Sequence, residues 1–207
     1  MTLKQTHTES IIDAEVSAVQ QLLTQPDPSP QDFCLDSLGE FALAAYQRLD
    51  DLFQWQDFKQ AKRFMMVGCG PFPITLLRVA KECPHLPILG IDNDSKAIAL
   101  ASQVLRHLTL SQIELLRRQG AEYVYDQEGI IYIANLVSPK ARVLRQIAMT
   151  ASLGTLVVLR DPSTPGVHLA EAGITDLSSA YQMVGEGASC TRFQSRHLFL
   201  RLVNRGV

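Results

Sequence analysis

The chain has almost no charge imbalance. Across 207 residues, 19 Lys and Arg face 21 Asp and Glu, a formal net charge of −2. That balance removes the electrostatic footprint expected of a protein that binds nucleic acid or an anionic membrane. Cysteine is scarce as well: Cys34, Cys69, Cys83 and Cys190 are scattered, with no C-x-x-C pair and no histidine at ligand spacing. This pattern excludes a disulfide scaffold and a zinc ribbon, and predicts reduced, mostly buried thiols in a cytoplasmic protein. The five histidines show neither H-x-x-x-H spacing nor a triad-like arrangement, so no metal site is expected. No apolar run approaches the ~20 residues of a membrane span, and the N-terminus lacks the basic-then-apolar pattern of a signal peptide. Internal repeats and low-complexity tracts are missing too.

What is present is a hydrophobic fraction of 46%, ordinary for a globular chain able to bury a full core. Within it the most informative stretch is Phe64-Met-Met-Val-Gly-Cys-Gly-Pro-Phe-Pro-Ile-Thr75. An apolar run ends in Gly68-Cys69-Gly70, and a helical apolar pattern (Ile74, Leu76, Leu77, Val79, Ala80) begins directly afterwards. Glycines at a strand-to-helix junction let the backbone turn sharply and let a ligand come close. The helix then offers free N–H groups and the positive end of its dipole. Again an absence narrows the reading. A dinucleotide fingerprint needs a small residue where Pro73 stands, and a P-loop needs a Gly-Lys-Ser/Thr ending that does not follow. Two glycines without a phosphate cradle suit a nucleoside cofactor lacking a pyrophosphate, such as S-adenosylmethionine. Pro71 and Pro73 fix φ in a rigid loop and a first helical turn.

A second apolar run, Leu86-Pro-Ile-Leu-Gly-Ile-Asp92, ends in an acid about twenty residues past the glycines, where a carboxylate meets ribose hydroxyls. The next helix opens Asn93-Asp94-Ser95, with Asp94 or Ser95 as its N-cap. Helical spacing covers Ser10–Thr24 and Leu38–Phe58, separated by the turn-rich Gln25–Pro30. Together these predict a helical N-terminal cap over residues 1–60. Beyond it, strands Phe64–Val67, Ile88–Ile91, Ile113–Arg117, Gly129–Ala134 and Gly154–Leu159 alternate with helices Ile74–Cys83, Lys96–His107 and Ser138–Thr150. Tyr181–Val184 and Arg196–Val203 read as a terminal hairpin. The order predicts an α/β fold over residues 61–207: a Rossmann-like, doubly wound sheet of methyltransferase type carrying a C-terminal antiparallel hairpin.

Val67-Gly-Cys-Gly-Pro-Phe-Pro-Ile-Thr75, Ile91-Asp-Asn-Asp-Ser95 and Ala99-Leu-Ala-Ser102 resemble the nicotianamine synthase family and its bacterial relatives that make opine-type metallophores. Ile131–Val137 and Gly154–Arg160 resemble that family's later strands, so the similarity runs from about Phe64 to Val203, with the GxGPxPxT loop its most specific part. Most methyltransferases carry an acid two residues before the first glycine, where this chain has Met66. The resemblance implies transfer of the 3-amino-3-carboxypropyl group of S-adenosylmethionine to an amine of a small amino-acid-like acceptor. Gly68, Cys69, Gly70, Pro71, Asp92, Asn93, Gly120, Ala121 and Asn135 would then contact the cofactor. Arg160, at the end of the fifth strand, would clamp a carboxylate; its alternative is a surface arginine paired with Asp161. In the family, a glutamate and a tyrosine ahead of the first strand line the acceptor site. Glu40 and Tyr46 are the candidates here, with Glu15 competing for the acid. Where an acid commonly holds the adenine amino group, this chain has Gly120, which leaves main-chain contacts around Ala121. The N-terminal portion is shorter than in the synthases, implying an acceptor pocket that is truncated or completed in a homodimer. A small-molecule methyltransferase and a non-catalytic S-adenosylmethionine-binding protein are the alternative readings.

Overall fold

The computed structural model describes residues 3–26, 39–126, 129–162, 177, 179–187 and 195–205. Three helices come first, α1 (Leu3–Leu23), α2 (Gly39–Gln47) and α3 (Gln56–Gln60), with a 3-10 turn at Leu52–Gln54 ahead of α3. Then follow β1 (Phe64–Val67), α4 (Ile74–Glu82), β2 (Ile88–Asp92), α5 (Ser95–His107) and β3 (Ile113–Arg117). The chain continues through β4 (Ile130–Ile133), α6 (Lys140–Thr150), β5 (Leu156–Pro162), β6 (Tyr181–Glu186) and β7 (Ser195–Leu202). The strands form one seven-stranded sheet in the order β3-β2-β1-β4-β5-β7-β6. Strands β1 to β5 pair in parallel, whereas β7 runs antiparallel to both β5 and β6. This is the Rossmann-like, methyltransferase-type sheet with a terminal hairpin.

All four residues of β1 and of β4 are buried, as strands covered on both faces must be. Successive side chains point to opposite faces, so Phe64 and Met66 join one core cluster while Met65 and Val67 join the other. The second cluster lies under α6 through Val143, Leu144 and Ile147. The first lies under α1, α2, α4 and α5, and it unites cap residues such as Val19, Leu22, Leu49 and Phe58 with Tyr132, Val158 and Phe199 of the sheet. The cap and the sheet therefore share a core, although composition places a boundary near residue 60.

The expected single helix over Leu38–Phe58 is broken. Residues 48–51 form a turn after α2, and Trp55 is extended (φ −77°, ψ 129°) before α3 begins. The break lets this segment meet alternate residues of β7, which share a face. Asp51 bonds His197, Trp55 stacks on Phe199 with ring centroids 4.2 Å apart, and Asp57 forms a two-point pair with Arg201. Tertiary contacts have overridden local helical periodicity here. The Pro-rich stretch beyond Pro26, as well as Cys34, Cys190 and His168, lies outside the described residues.

Candidate active site

Strand order reverses between β1 and β4, so a crevice opens at their C-terminal ends. Gly68 and Gly70 both have positive φ, +77° and +68°, which only glycine adopts without strain. Space constrains them too. A Cβ on Gly68 would come within 2.5 Å of Val137 Cγ2, and one on Gly70 within 2.7 Å of Glu15 Oε2. The loop is tied to the next strand, since the N–H groups of Gly68 and Cys69 both donate to the Ile91 carbonyl. The Cys69 thiol is buried and its pKa is pushed up, chiefly by burial. It has no thiolate character to offer as a nucleophile.

Asp92 ends β2 at the lip of this crevice. One of its oxygens accepts from the Gly70 N–H at 2.9 Å, and the other accepts from the Asp94 N–H at 3.0 Å. The carboxylate thus braces the glycine loop and the next loop, and each oxygen retains acceptor capacity for a further donor. Asp94, not Ser95, is the N-cap of α5, its side chain accepting from the Lys96 N–H at 2.8 Å. Asn93 is exposed beside Asp92. Gly120 opens a 3-10 turn after β3 where a Cβ would approach Val67 Cγ1 to 2.5 Å, and its carbonyl accepts from the Tyr125 hydroxyl. Ala121, in the same turn, is partly buried against the α6-side core. Asn135 follows β4, with its carbonyl held by Lys140 Nζ at 2.6 Å. Its side-chain Oδ1 is buried with no donor among the described residues, an arrangement that calls for a hydrogen-bond partner.

The sequence candidates for the acid change places. Glu40 stands exposed in the first turn of α2. Glu15 is the acid in the crevice. On α1 it precedes Ala18, Val19 and Leu22 at helical spacing, and these three form that helix's buried stripe. Glu15 extends the stripe one turn toward the N-terminus, where the helix overhangs Gly70. Burial pushes its carboxyl pKa up from 4.5 to about 8; the guanidiniums of Arg48 and Arg160 oppose the rise and Asp92 adds to it. Tyr46 is buried under Arg78 of α4, whose guanidinium lies 4.2 Å from the ring centroid. Its ring packs between α2 and α4.

Arg160 is no surface arginine: it is only 7% exposed. It acts electrostatically on Glu15, Tyr132 and His197, and so does Arg48. The side chain of Asp161 lies outside the described residues. Around Arg160 the structure adds groups that sequence reading did not assign. The Tyr132 hydroxyl lies 3.0 Å from His197 Nε2, and His197 Nδ1 lies 3.0 Å from both oxygens of Asp51. Among the described residues, no cluster of His, Cys, Asp and Glu could hold a metal ion, and no helix is long and apolar enough to cross a membrane.

No family model matches this chain, and no curated protein matches it by sequence. Solved structures do match, and they define a class of fold: the sheet of S-adenosylmethionine-dependent methyltransferases. A point mutant of MtNAS, a nicotianamine synthase, solved in complex with S-adenosylmethionine, aligns at TM-score 0.71. It shares 14% identity over 96% of this chain and 76% of its own. Magnesium protoporphyrin IX methyltransferase (ChlM) from Synechocystis PCC 6803, with bound SAM, aligns at TM-score 0.61 and 15% identity, over 77% of this chain and 80% of that one. A SAM-dependent methyltransferase from Aquifex aeolicus aligns at 0.64 and 14% identity, over 84% of this chain and 99% of its own. Identities this low establish a common fold.

Proposed function

We propose that the protein is an S-adenosylmethionine-dependent transferase, and that it moves the 3-amino-3-carboxypropyl group to the amine of a small amino-acid-like acceptor. The observation that carries this reading is the placement of Glu15, a buried carboxyl with a pKa near 8, directly over Gly70 and within the field of Arg48 and Arg160.

The crevice suits a nucleoside. The Asp92 carboxylate can accept from ribose hydroxyls, and Asn135 Oδ1, without a donor among the described residues, can take one from a ligand. When bound, S-adenosylmethionine supplies a carbon made electrophilic by the neighbouring sulfonium and a neutral thioether nucleoside as leaving group. The chain supplies the rest. An amine attacks only when neutral, so the acceptor must lose a proton before or during attack. A carboxyl that ionises near pH 8 is matched to take that proton at Oε2. Arg160, buried at the end of β5, presents a fixed positive charge suited to a carboxylate of the cofactor or acceptor.

The test is to incubate the protein with S-adenosylmethionine and candidate amino acids and to identify the nucleoside released. Methylthioadenosine supports aminocarboxypropyl transfer. S-adenosylhomocysteine would support the second reading, a small-molecule methyltransferase, which the general fold favours. Binding without turnover would leave a non-catalytic binding protein.

A further inference from the structure

Three side chains distant in sequence meet on the cap side of the sheet. Tyr132 comes from β4, His197 from β7 and Asp51 from the turn after α2. The two Asp51 oxygens flank Nδ1, and a carboxylate can only accept, so the imidazole N–H sits on Nδ1. Nε2 is then a lone-pair acceptor, and the Tyr132 hydroxyl donates to it at 3.0 Å. Every donor in the chain points toward Asp51, and His197 is 3% exposed, Tyr132 fully buried.

Both arginines stand on the backbone that this network joins. Arg160 is the direct cross-strand partner of His197 in the β5–β7 pair, and residues opposed in that way share a face of the sheet. Arg48 lies three residues before Asp51, in the same turn that His197 anchors. We propose that His197 is a positioning residue, which holds the turn bearing Arg48 through Asp51 and the strand position of Arg160 across the β5–β7 pair, so that both cations keep their places on the crevice side shared with Glu15. The inference rests on the assignment of Glu15 as the working acid. Burial holds the pKa of His197 below its ordinary value against the opposing pull of Asp51, and Arg48 and Arg160 depress it further. A neutral imidazole adds no third positive charge beside the two arginines.

The experiment is a titration of the Glu15 carboxyl by carbon NMR in the full chain, without substrate, in the parent, His197→Ala and His197→Asn proteins. If His197 holds the two cations in place, His197→Ala lets them drift and the Glu15 midpoint rises by about half a pH unit or more. His197→Asn keeps an N–H donor for Asp51 and restores the midpoint to near the parental value. Nucleoside release falls ~10–100-fold in the Ala variant, while S-adenosylmethionine binding, read by calorimetry, changes little. An unchanged or lowered midpoint in folded His197→Ala overturns the proposal, as does failure of His197→Asn to restore it. If His197→Ala does not fold, His197→Leu, which fills the space and offers Asp51 no donor, carries the same test with the same expected rise. If the parent turns over no amine, the transferase reading fails, and the Glu15 midpoint still decides the role of His197.

Discussion

The two sides of the crevice are built in different ways. On the side of β1 and β2, the donors are main-chain N–H groups: Gly70 to the Asp92 carboxylate, 22 residues away, and Gly68 and Cys69 to the Ile91 carbonyl. On the side of β4, β5 and β7, the contacts join side chains from remote elements. His197 and Asp51 are 146 residues apart, and His197 and Tyr132 are 65 apart. A main-chain site needs particular backbone conformations, which only glycine permits at Gly68 and Gly70. A side-chain site needs particular packing, which many sequences achieve. The first side is suited to hold a nucleoside whatever the reaction. The second side, with its acid and two cations, is where reaction and acceptor would be chosen, since a displacement beside a sulfonium depends on which carbon meets the nucleophile.

That division predicts that variants of the two sides fail differently, binding on one and turnover on the other. The largest effect is expected from Glu15→Gln, which keeps the shape and removes the proton acceptor. Nucleoside release should fall ~10²–10⁴-fold with S-adenosylmethionine affinity nearly intact. A parallel collapse of affinity in calorimetry would erase the distinction between the sides.

Asp92→Ala should do the reverse. It removes the acceptor proposed for the ribose and unties the Gly70 N–H, costing on the order of 2–4 kcal/mol of cofactor binding. Unchanged affinity in a folded variant would mean that the crevice does not take a ribose at that strand end.

Glu15 also makes stability depend on pH in a direction opposite to most carboxylates. Its pKa is raised from 4.5 to about 8, so between those values the native state keeps a proton that the unfolded chain has released. Stability contributed at this site therefore declines as pH rises from 4.5 toward 8 and levels off above. Glu15→Gln should match the parent at low pH and exceed it above pH 8 by on the order of a few kcal/mol. Urea denaturation of both proteins at about pH 5 and about pH 9 measures this; equal stabilities at the higher pH would show a solvated carboxyl.

A smaller change is expected from Asn135→Ala, which deletes an orphan acceptor and should weaken cofactor binding by about 1 kcal/mol. The smallest is Glu40→Gln. Its side chain is exposed on α2, and turnover should stay within about twofold of the parent. A large loss there, in a steady-state assay, would return the acid's role to α2.

Much of this molecule could be read before it was seen. The strand–glycine–helix junction, Asp92 at the end of β2, the alternation of strands and helices, and the terminal hairpin are all local patterns of period, punctuation and spacing. Each is set by what a backbone of given residues can do, and the structure places the seven strands where those patterns put them, β1 and β3 with the same bounds and the others with ends moved by one to three residues. Reading failed where an outcome depended on long-range packing. The stretch Leu38–Phe58 has helical spacing throughout, yet it breaks because Asp51, Trp55 and Asp57 find His197, Phe199 and Arg201. Glu40 and Glu15 look alike in sequence, as two acids on two helices. The placement of α1 over the glycine loop brings Glu15 against Gly70, while Glu40 stands on the exposed face of α2. The histidines show no motif because Asp51, Tyr132 and His197 come from three elements brought together by the sheet order. Local sequence determined the backbone that forms the crevice, because backbone geometry is a short-range property. Only the tertiary structure decided which acid and which histidine stand at it, because burial and charge are set by neighbours that the chain brings from far away.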